Sequence, residues 1–362
     1  MLSNLIRALF APKSPAAPAE SPADADVLAA KDLLNKNSFQ LAIDALGPLL
    51  REQPNHAEAL FIRGTAHLEL QRHEEAMTDL GRAVALSPSE PRYLYNLAIT
   101  HWALGDSEQT ISLCKQAVRT SDFGPAHLLL ANIDLHGEDY FNVLARMHSY
   151  LRPRTYIEIG VFRGASLRLA GPDTLALGID PEPLLKQPAG PKQFVFSKTS
   201  DDFFANHDVI GKLGGQKVDF AFIDGMHRFE YALRDFINIE RLCRSDSVIL
   251  IHDCFPLDAQ TAKRDRCTAF WSGDIWRLIL LLRKYRPDLA VHTISTPPTG
   301  LGMILNLDPA SRILADKLDA IVAEYLAMDY SVLDGRKREL LNACPNHWDS
   351  ISALLDSRPA RS

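Results

Sequence analysis

The stretch Tyr156-Ile-Glu-Ile-Gly-Val-Phe-Arg-Gly-Ala-Ser166 decides how this chain is read. A short apolar run carries Glu158 and ends at Gly160, and Gly164 follows just before a helical pattern. Glycines between a strand and a helix let backbone N–H groups approach a ligand, and a helix N-terminus favours an anionic group there. Further apolar runs at 175–179, 194–196, 218–223, 247–251, 289–294 and 301–305 alternate with helical patterns. The clearest helix is expected over Arg228–Cys243, where Phe229, Ala232, Leu233, Phe236, Ile237 and Ile239 form one broad apolar face. Strands alternating with helices predict a doubly wound, mostly parallel sheet. Sheets of this kind bind ligands beyond the carboxyl ends of their strands, so the residues just after each strand carry the chemistry.

After the second to fifth strands those residues are polar. Asp180 closes the second strand 20 positions after Gly160, a spacing that suits a carboxylate taking both hydroxyls of a ribose. A cap on a helix starting at Pro181 would also use it. After the third strand comes Thr199-Ser-Asp-Asp202, where an acid can accept from an adenine amino group or a side chain can cap a helix. After the fourth comes Asp224-Gly-Met-His227, and after the fifth His252-Asp253. Adjacent parallel strands bring Asp224 and Asp253 together. Carboxylates so placed repel unless a proton or cation intervenes, so a divalent ion, Mg²⁺ first, is an expected second cofactor on Asp224, Asp253 and His252. Imidazole suits Zn, Mn or Fe better than Mg²⁺. His227 has the near-neutral pKa of a general base, although a turn histidine also serves at surfaces. In Trp271-Ser-Gly-Asp274-Ile-Trp276, Asp274 reads as a cap and Trp276 as core.

Upstream, the pattern is different. Ala30, Gly64 and Ala98 stand 34 residues apart, as do Ala42, Ala76 and Thr110, then Leu46, Leu80 and Cys114, then Leu49, Ala83 and Ala117. Pro54 and Pro88 close two units, with Asp122 at the third such place. Small residues let paired helices approach and Pro ends the second helix, which is the tetratricopeptide pattern. The expected layout is a tail and linker over 1–26, three repeats over 27–124, connecting helices over 125–150, a sheet domain over 151–310 and C-terminal helices over 311–362.

Composition narrows the setting. With a net charge of −6, the chain has no general attraction for nucleic acid or anionic membrane. Five cysteines, an odd count without a Cys-x-x-Cys pair, argue against a disulfide framework or structural zinc and for a cytoplasmic setting. No run is long and apolar enough to span a membrane, and residues 1–10 lack the plan of a signal peptide.

Glu158-Ile-Gly-Val-Phe-Arg-Gly-Ala-Ser166, Asp180, Phe222-Ile-Asp-Gly-Met-His-Arg-Phe-Glu-Tyr231 and Ile251-His-Asp253 together resemble the class I S-adenosylmethionine-dependent methyltransferases. Within them the chain is most similar to the macrocin O-methyltransferase-like branch and the related cephalosporin hydroxylase-like proteins. The resemblance implies a Rossmann-like, mostly parallel seven-stranded sheet with an antiparallel last strand, following the α-helical repeat array. It implies S-adenosylmethionine on Glu158, Gly160, Gly164 and Ser166, ribose on Asp180 and adenine near Asp201. It also implies His227 as base with Asp224, and a metal on acids after the fourth and fifth strands. His252 stands where that branch has a carboxylate, and Phe162 replaces the usual middle glycine of the loop. The expected activity is O-methylation of a sugar or other polar small-molecule or glycan acceptor, with the repeats available to a protein partner. A repeat scaffold with a non-catalytic cofactor domain is the alternative. A redox enzyme on a related fold is a third, weakened by the incomplete G-x-G-x-x-G pattern.

Overall fold

A computed structural model describes residues 22–185 and 190–359, which divide into two compact units after Leu130. The tail expected over residues 1–21 lies outside the described residues. Residues 22–26, expected as the end of the linker, instead begin a helix at Pro22. Pro is tolerated in a first helical turn because its missing N–H has no partner to lose there.

The first unit holds three helix pairs: α1 (Pro22–Asn35) with α2 (Phe39–Glu52), α3 (Ala57–Glu69) with α4 (His73–Leu86), and α5 (Pro91–Ala103) with α6 (Ser107–Thr120). The 34-residue step is realised in three dimensions. Ala30, Ala42, Leu46, Ala76, Leu80, Ala98, Cys114 and Ala117 are all fully buried along the seams. Polar contacts tie neighbouring repeats as well, since Arg92 pairs with Glu58 at 3.2 Å, and Asn96 donates to Thr65 at 2.8 Å inside the stack. The chain continues into α7 (Gly124–Asp134) and α8 (Tyr140–Leu151).

The second unit is built on one sheet: β1 (Thr155–Ile159), β2 (Leu175–Asp180), β3 (Gln193–Ser197), β4 (Val218–Ile223), β5 (Cys243–His252), β6 (Ala290–Ile294), β7 (Leu301–Leu305) and β8 (Ala343–Cys344). Its spatial order is β3-β2-β1-β4-β5-β7-β6-β8. The first five strands pair in parallel, and β7 runs antiparallel between β5 and β6. Seven of the strands were expected. The eighth is a two-residue strand pairing with β6, so residues 311–362 are not wholly helical. Two residues are too few to show the alternation by which a strand is recognised.

Alternation sorts each strand onto two cores. Two short helices, α9 (Ser200–Asn206) and α10 (Val209–Lys212), follow β3. Ile157, Ile223, Ile249 and Ile251 face α11 (Phe229–Glu240) and α12 (Trp276–Tyr285), where Phe229, Leu233, Phe236 and Leu278 meet them. Tyr156, Phe220, Phe222, Leu250 and Met303 face the opposite way, onto Val143, Leu144 and Met147 of α8 and onto Ile351 and Leu355 near the C-terminus. The helix expected to reach Cys243 stops at Glu240, and Cys243 opens β5. Glu240 is held there by buried Arg286 through bonds of 2.7 and 2.9 Å. That pairing spans 46 residues and leaves no local trace in the sequence.

Candidate active site

The register of β1, β4 and β5 sets Ile159, Ile223 and Ile251 side by side, so the residues that follow them share the carboxyl edge. Glu158 is buried, accepting from Tyr156 Oη at 2.7 Å and from Ser166 Oγ at 2.8 Å. Burial pushes its carboxyl up to about 8, against the pull of those two hydroxyls. Gly160 has φ +88°, and a Cβ there would lie 1.9 Å from the carbonyl oxygen of Asp224. Its smallness therefore brings β1 and β4 together at the site. Gly164 and Phe162 are left-handed too.

Asp180 binds the loop directly. Its Oδ2 accepts from the Phe162 N–H at 2.7 Å and its Oδ1 from the Glu182 N–H at 2.8 Å. No helix starts at Pro181, so the cap it provides is a turn. Each carboxylate oxygen keeps a second lone pair, leaving acceptors for a ribose. Asp201 is engaged differently, forked by Arg234 at 3.0 and 2.7 Å. Thr199 caps the short helix Ser200–Asn206 by accepting from the Asp202 N–H. Among the residues expected near the cofactor, Asp201 is the one whose carboxylate already has a bidentate partner.

Two histidines flank the acid pair. His227 Nδ1 lies 2.7 Å from Asp253 Oδ2, and His252 Nδ1 lies 3.1 Å from Asp224 Oδ1 and 3.4 Å from Asp253 Oδ1. Burial works against charging either imidazole, yet Asp253 and Asp224 outweigh it and raise both pKa values above the usual histidine value. Asp253 is buried but is held well below the usual carboxylate range by His252 and His227. It sits in the left-handed region at φ +63°, a conformation that a short polar side chain tolerates and that concentrates at functional sites. The acids and histidines thus compensate one another's charge.

Asp224, His227 and Asp253 each offer one donor atom, all within 4.8 Å of one another. Two carboxylate oxygens and an imidazole fit a divalent ion of the Zn, Mn or Fe kind better than Mg²⁺. His252, expected as a ligand, points Nδ1 at the acids and lies beneath Tyr140, with ring centroids 4.1 Å apart. The trio lines a cavity of about 10 Å³ together with Ile223, Asp235 and Ile275, room for about one water.

Tyr140 and Trp271 complete the site, and spacing gave no sign of either role. Tyr140 opens α8, before the first strand, and Trp271 stacks on His227 from the connection between β5 and α12. Asp274 caps, but not its own helix. Buried Asp274 accepts from the Phe229 N–H at 2.9 Å, at the start of α11, and pairs with Arg264 at 2.7 Å and with Arg277.

Comparison with known families fits both halves. Residues 27–91 match a family described as tetratricopeptide repeat, and residues 157–254 match one described as methyltransferase domain. The second unit carries a methyltransferase domain. Such a domain implies an enzyme that uses S-adenosylmethionine, and its matched span runs from β1 to Cys254, taking in Asp180, Asp224, His227, His252 and Asp253. No curated protein matches the chain. Among solved structures, the chain is similar to a crystal structure of MamA (20% identity over 30% of this chain and 65% of that one, TM-score 0.29). It is likewise similar to MamA 41-end from Desulfovibrio magneticus RS-1 (22% identity, 32% of this chain and 66% of that one, TM-score 0.29). A third is cofactor-bound Rv0187 from MTB (18% identity, 50% of this chain and 88% of that one, TM-score 0.36). The chain thus spans just under two thirds of the MamA structures. Among the described residues no helix is long and apolar enough to cross a membrane.

Proposed function

We propose that the protein transfers the methyl group of S-adenosylmethionine to a hydroxyl of a sugar or other polar small molecule or glycan, as in the macrocin O-methyltransferase-like branch, with His227 as general base. The observation that carries this reading is the His227–Asp253 pair, 2.7 Å apart on the carboxyl edge beside the glycine loop. When bound, S-adenosylmethionine would supply an activated methyl on a cationic sulfur, with the neutral thioether as leaving group. Asp253 takes Nδ1 of His227, which leaves Nε2 to receive the hydroxyl proton. Asp224 orients the acceptor hydroxyl, and Asp180 holds the ribose. The repeats serve a protein partner.

Calorimetry with S-adenosylmethionine, S-adenosylhomocysteine and NAD tests the cofactor. Tight binding of the sulfur nucleotides and none of NAD is expected, and folded protein that binds neither sulfur nucleotide would sink the proposal. Asp180→Ala should weaken S-adenosylhomocysteine binding about ten- to a hundredfold, the range of hydrogen bonds to a charged group. Unchanged affinity would remove Asp180 from the ribose role. A screen of glycans and small molecules for a one-methyl mass gain identifies the acceptor.

A metal held through His227 would occupy the ring that serves as base, so the two readings separate under chelation. Activity retained after exhaustive EDTA treatment supports the base; loss restored by Mn²⁺ or Zn²⁺ assigns His227 to an ion. In the chelated enzyme only neutral imidazole takes a proton. Because the acids raise the pKa of His227, turnover should climb with pH to a midpoint above about 6.5, the ordinary histidine value.

A further inference from the structure

Trp271 lies in the long connection from Asp253 to Ile275, and its indole covers one face of His227. The ring centroids are 5.0 Å apart and the planes are 6° from parallel. The indole is anchored by its own N–H, which donates to the Lys263 carbonyl at 2.6 Å. Two residues on, Gly273 has φ +64° and comes so close to the His227 peptide that a Cβ would stand 1.9 Å from its carbonyl oxygen. The Asp274 N–H donates to that same oxygen at 3.2 Å. The connection is therefore fastened to the His227 turn through backbone and ring alike.

A single carboxylate contact fixes one imidazole nitrogen and leaves the ring free to swing about that contact. A parallel ring against its face removes the swing, and offset stacking adds attraction of its own. Indole also attracts an imidazolium, so the contact survives proton uptake. We infer that Trp271 is a positioning residue: it locks the plane of His227 so that Nε2 holds one direction while Asp253 holds Nδ1. This rests on the proposed role of His227 as base. It adds a residue that no strand end or motif marks.

The test uses full-length protein with ¹³C at histidine Cε1, the His227 signal being identified by its loss in His227→Gln. In the unaltered chain that signal should be displaced upfield by the indole and rigid, with an order parameter of about 0.85. Trp271→Leu should abolish the displacement and lower the order parameter below about 0.6. Trp271→Phe keeps a ring to stack but loses the indole N–H, and His227 should stay rigid in it. A rigid His227 in folded Trp271→Leu, or a mobile one in Trp271→Phe, overturns the inference. S-adenosylhomocysteine affinity should stay within about twofold in both variants, because Trp271 acts through His227 and not on the nucleoside. Full turnover in His227→Ala would sink the base role instead and leave the order parameters as they are, so the two failures are told apart.

Discussion

His227→Ala lowers the turnover number for methyl transfer by about 10²- to 10⁴-fold, the range for losing a positioned general base, and leaves S-adenosylhomocysteine affinity within about twofold. The expectation follows from geometry. His227 is half-turned to solvent, with Nδ1 committed to Asp253 at 2.7 Å. No bond joins it to Glu158, to Asp180 or to the glycine loop in the described residues. Its loss therefore falls on proton removal and spares the nucleoside. Asp253→Asn should copy much of the defect, since an amide in place of the carboxylate no longer fixes Nδ1–H and lets the ring take the wrong tautomer. Turnover is read with the acceptor that the mass screen returns, under saturating S-adenosylmethionine. A His227→Ala enzyme within threefold of the original rate assigns the proton to solvent or to another group, and the base reading falls.

The strand-end acids were legible because a parallel sheet converts sequence position into place. Ile159, Ile223 and Ile251 are neighbours by register, so the polar residues after them had to meet. The repeats were legible for the same kind of reason, a fixed step with small residues in the seam. What stayed hidden depends on contacts made across the fold. Tyr140 comes from a helix preceding the first strand and covers His252. Trp271 comes from a connection with no regular element of its own, where no period guides a reader. Asp274 looked like the cap of the helix beside it, and it caps a helix 45 residues earlier. Gly160, the first glycine of the loop, reads in the sequence as making room for a ligand. Its closest neighbour is the Asp224 backbone, so it also joins two strand ends. His252, matched to a metal position by its place at the end of β5, turns Nδ1 to the two acids and has Nε2 3.4 Å from Thr299 Oγ1.

Asp274→Ala should destabilise the second unit by about 3–5 kcal/mol, as when one partner of a buried ion pair is removed. Asp274 is fully buried and serves three groups at once: the Phe229 N–H, Arg264 and Arg277. Alanine leaves the first N–H of α11 without an acceptor. Arg264 retains Glu230 at 2.6 and 2.9 Å, so its loss is partial. Arg277 is only 8% exposed and, among the described residues, keeps the Met328 carbonyl at 2.7 Å and the faces of Trp276 and Phe229, but no carboxylate hydrogen bond. A guanidinium cannot shed its charge to escape burial, and this uncompensated cation is the largest part of the penalty. Asp274→Asn separates the contributions, because its amide oxygen still accepts from Phe229 while the negative charge is gone. If the cap mattered most, asparagine would restore nearly all the stability; the burial of Arg277 predicts that it restores less than half. Three of the four tryptophans, Trp271, Trp276 and Trp348, belong to the second unit, so urea unfolding followed by tryptophan fluorescence reports mainly on it. A midpoint unchanged from the original chain would show that Arg277 finds water or another acceptor in the variant. The site is expected to feel the change as well, because Phe229 lies two residues from His227 and the Asp274 N–H is bonded to the His227 carbonyl. Stability and the rigidity of His227 should therefore fall together in Asp274→Ala, whereas Trp271→Leu should release His227 with the Asp274 network intact.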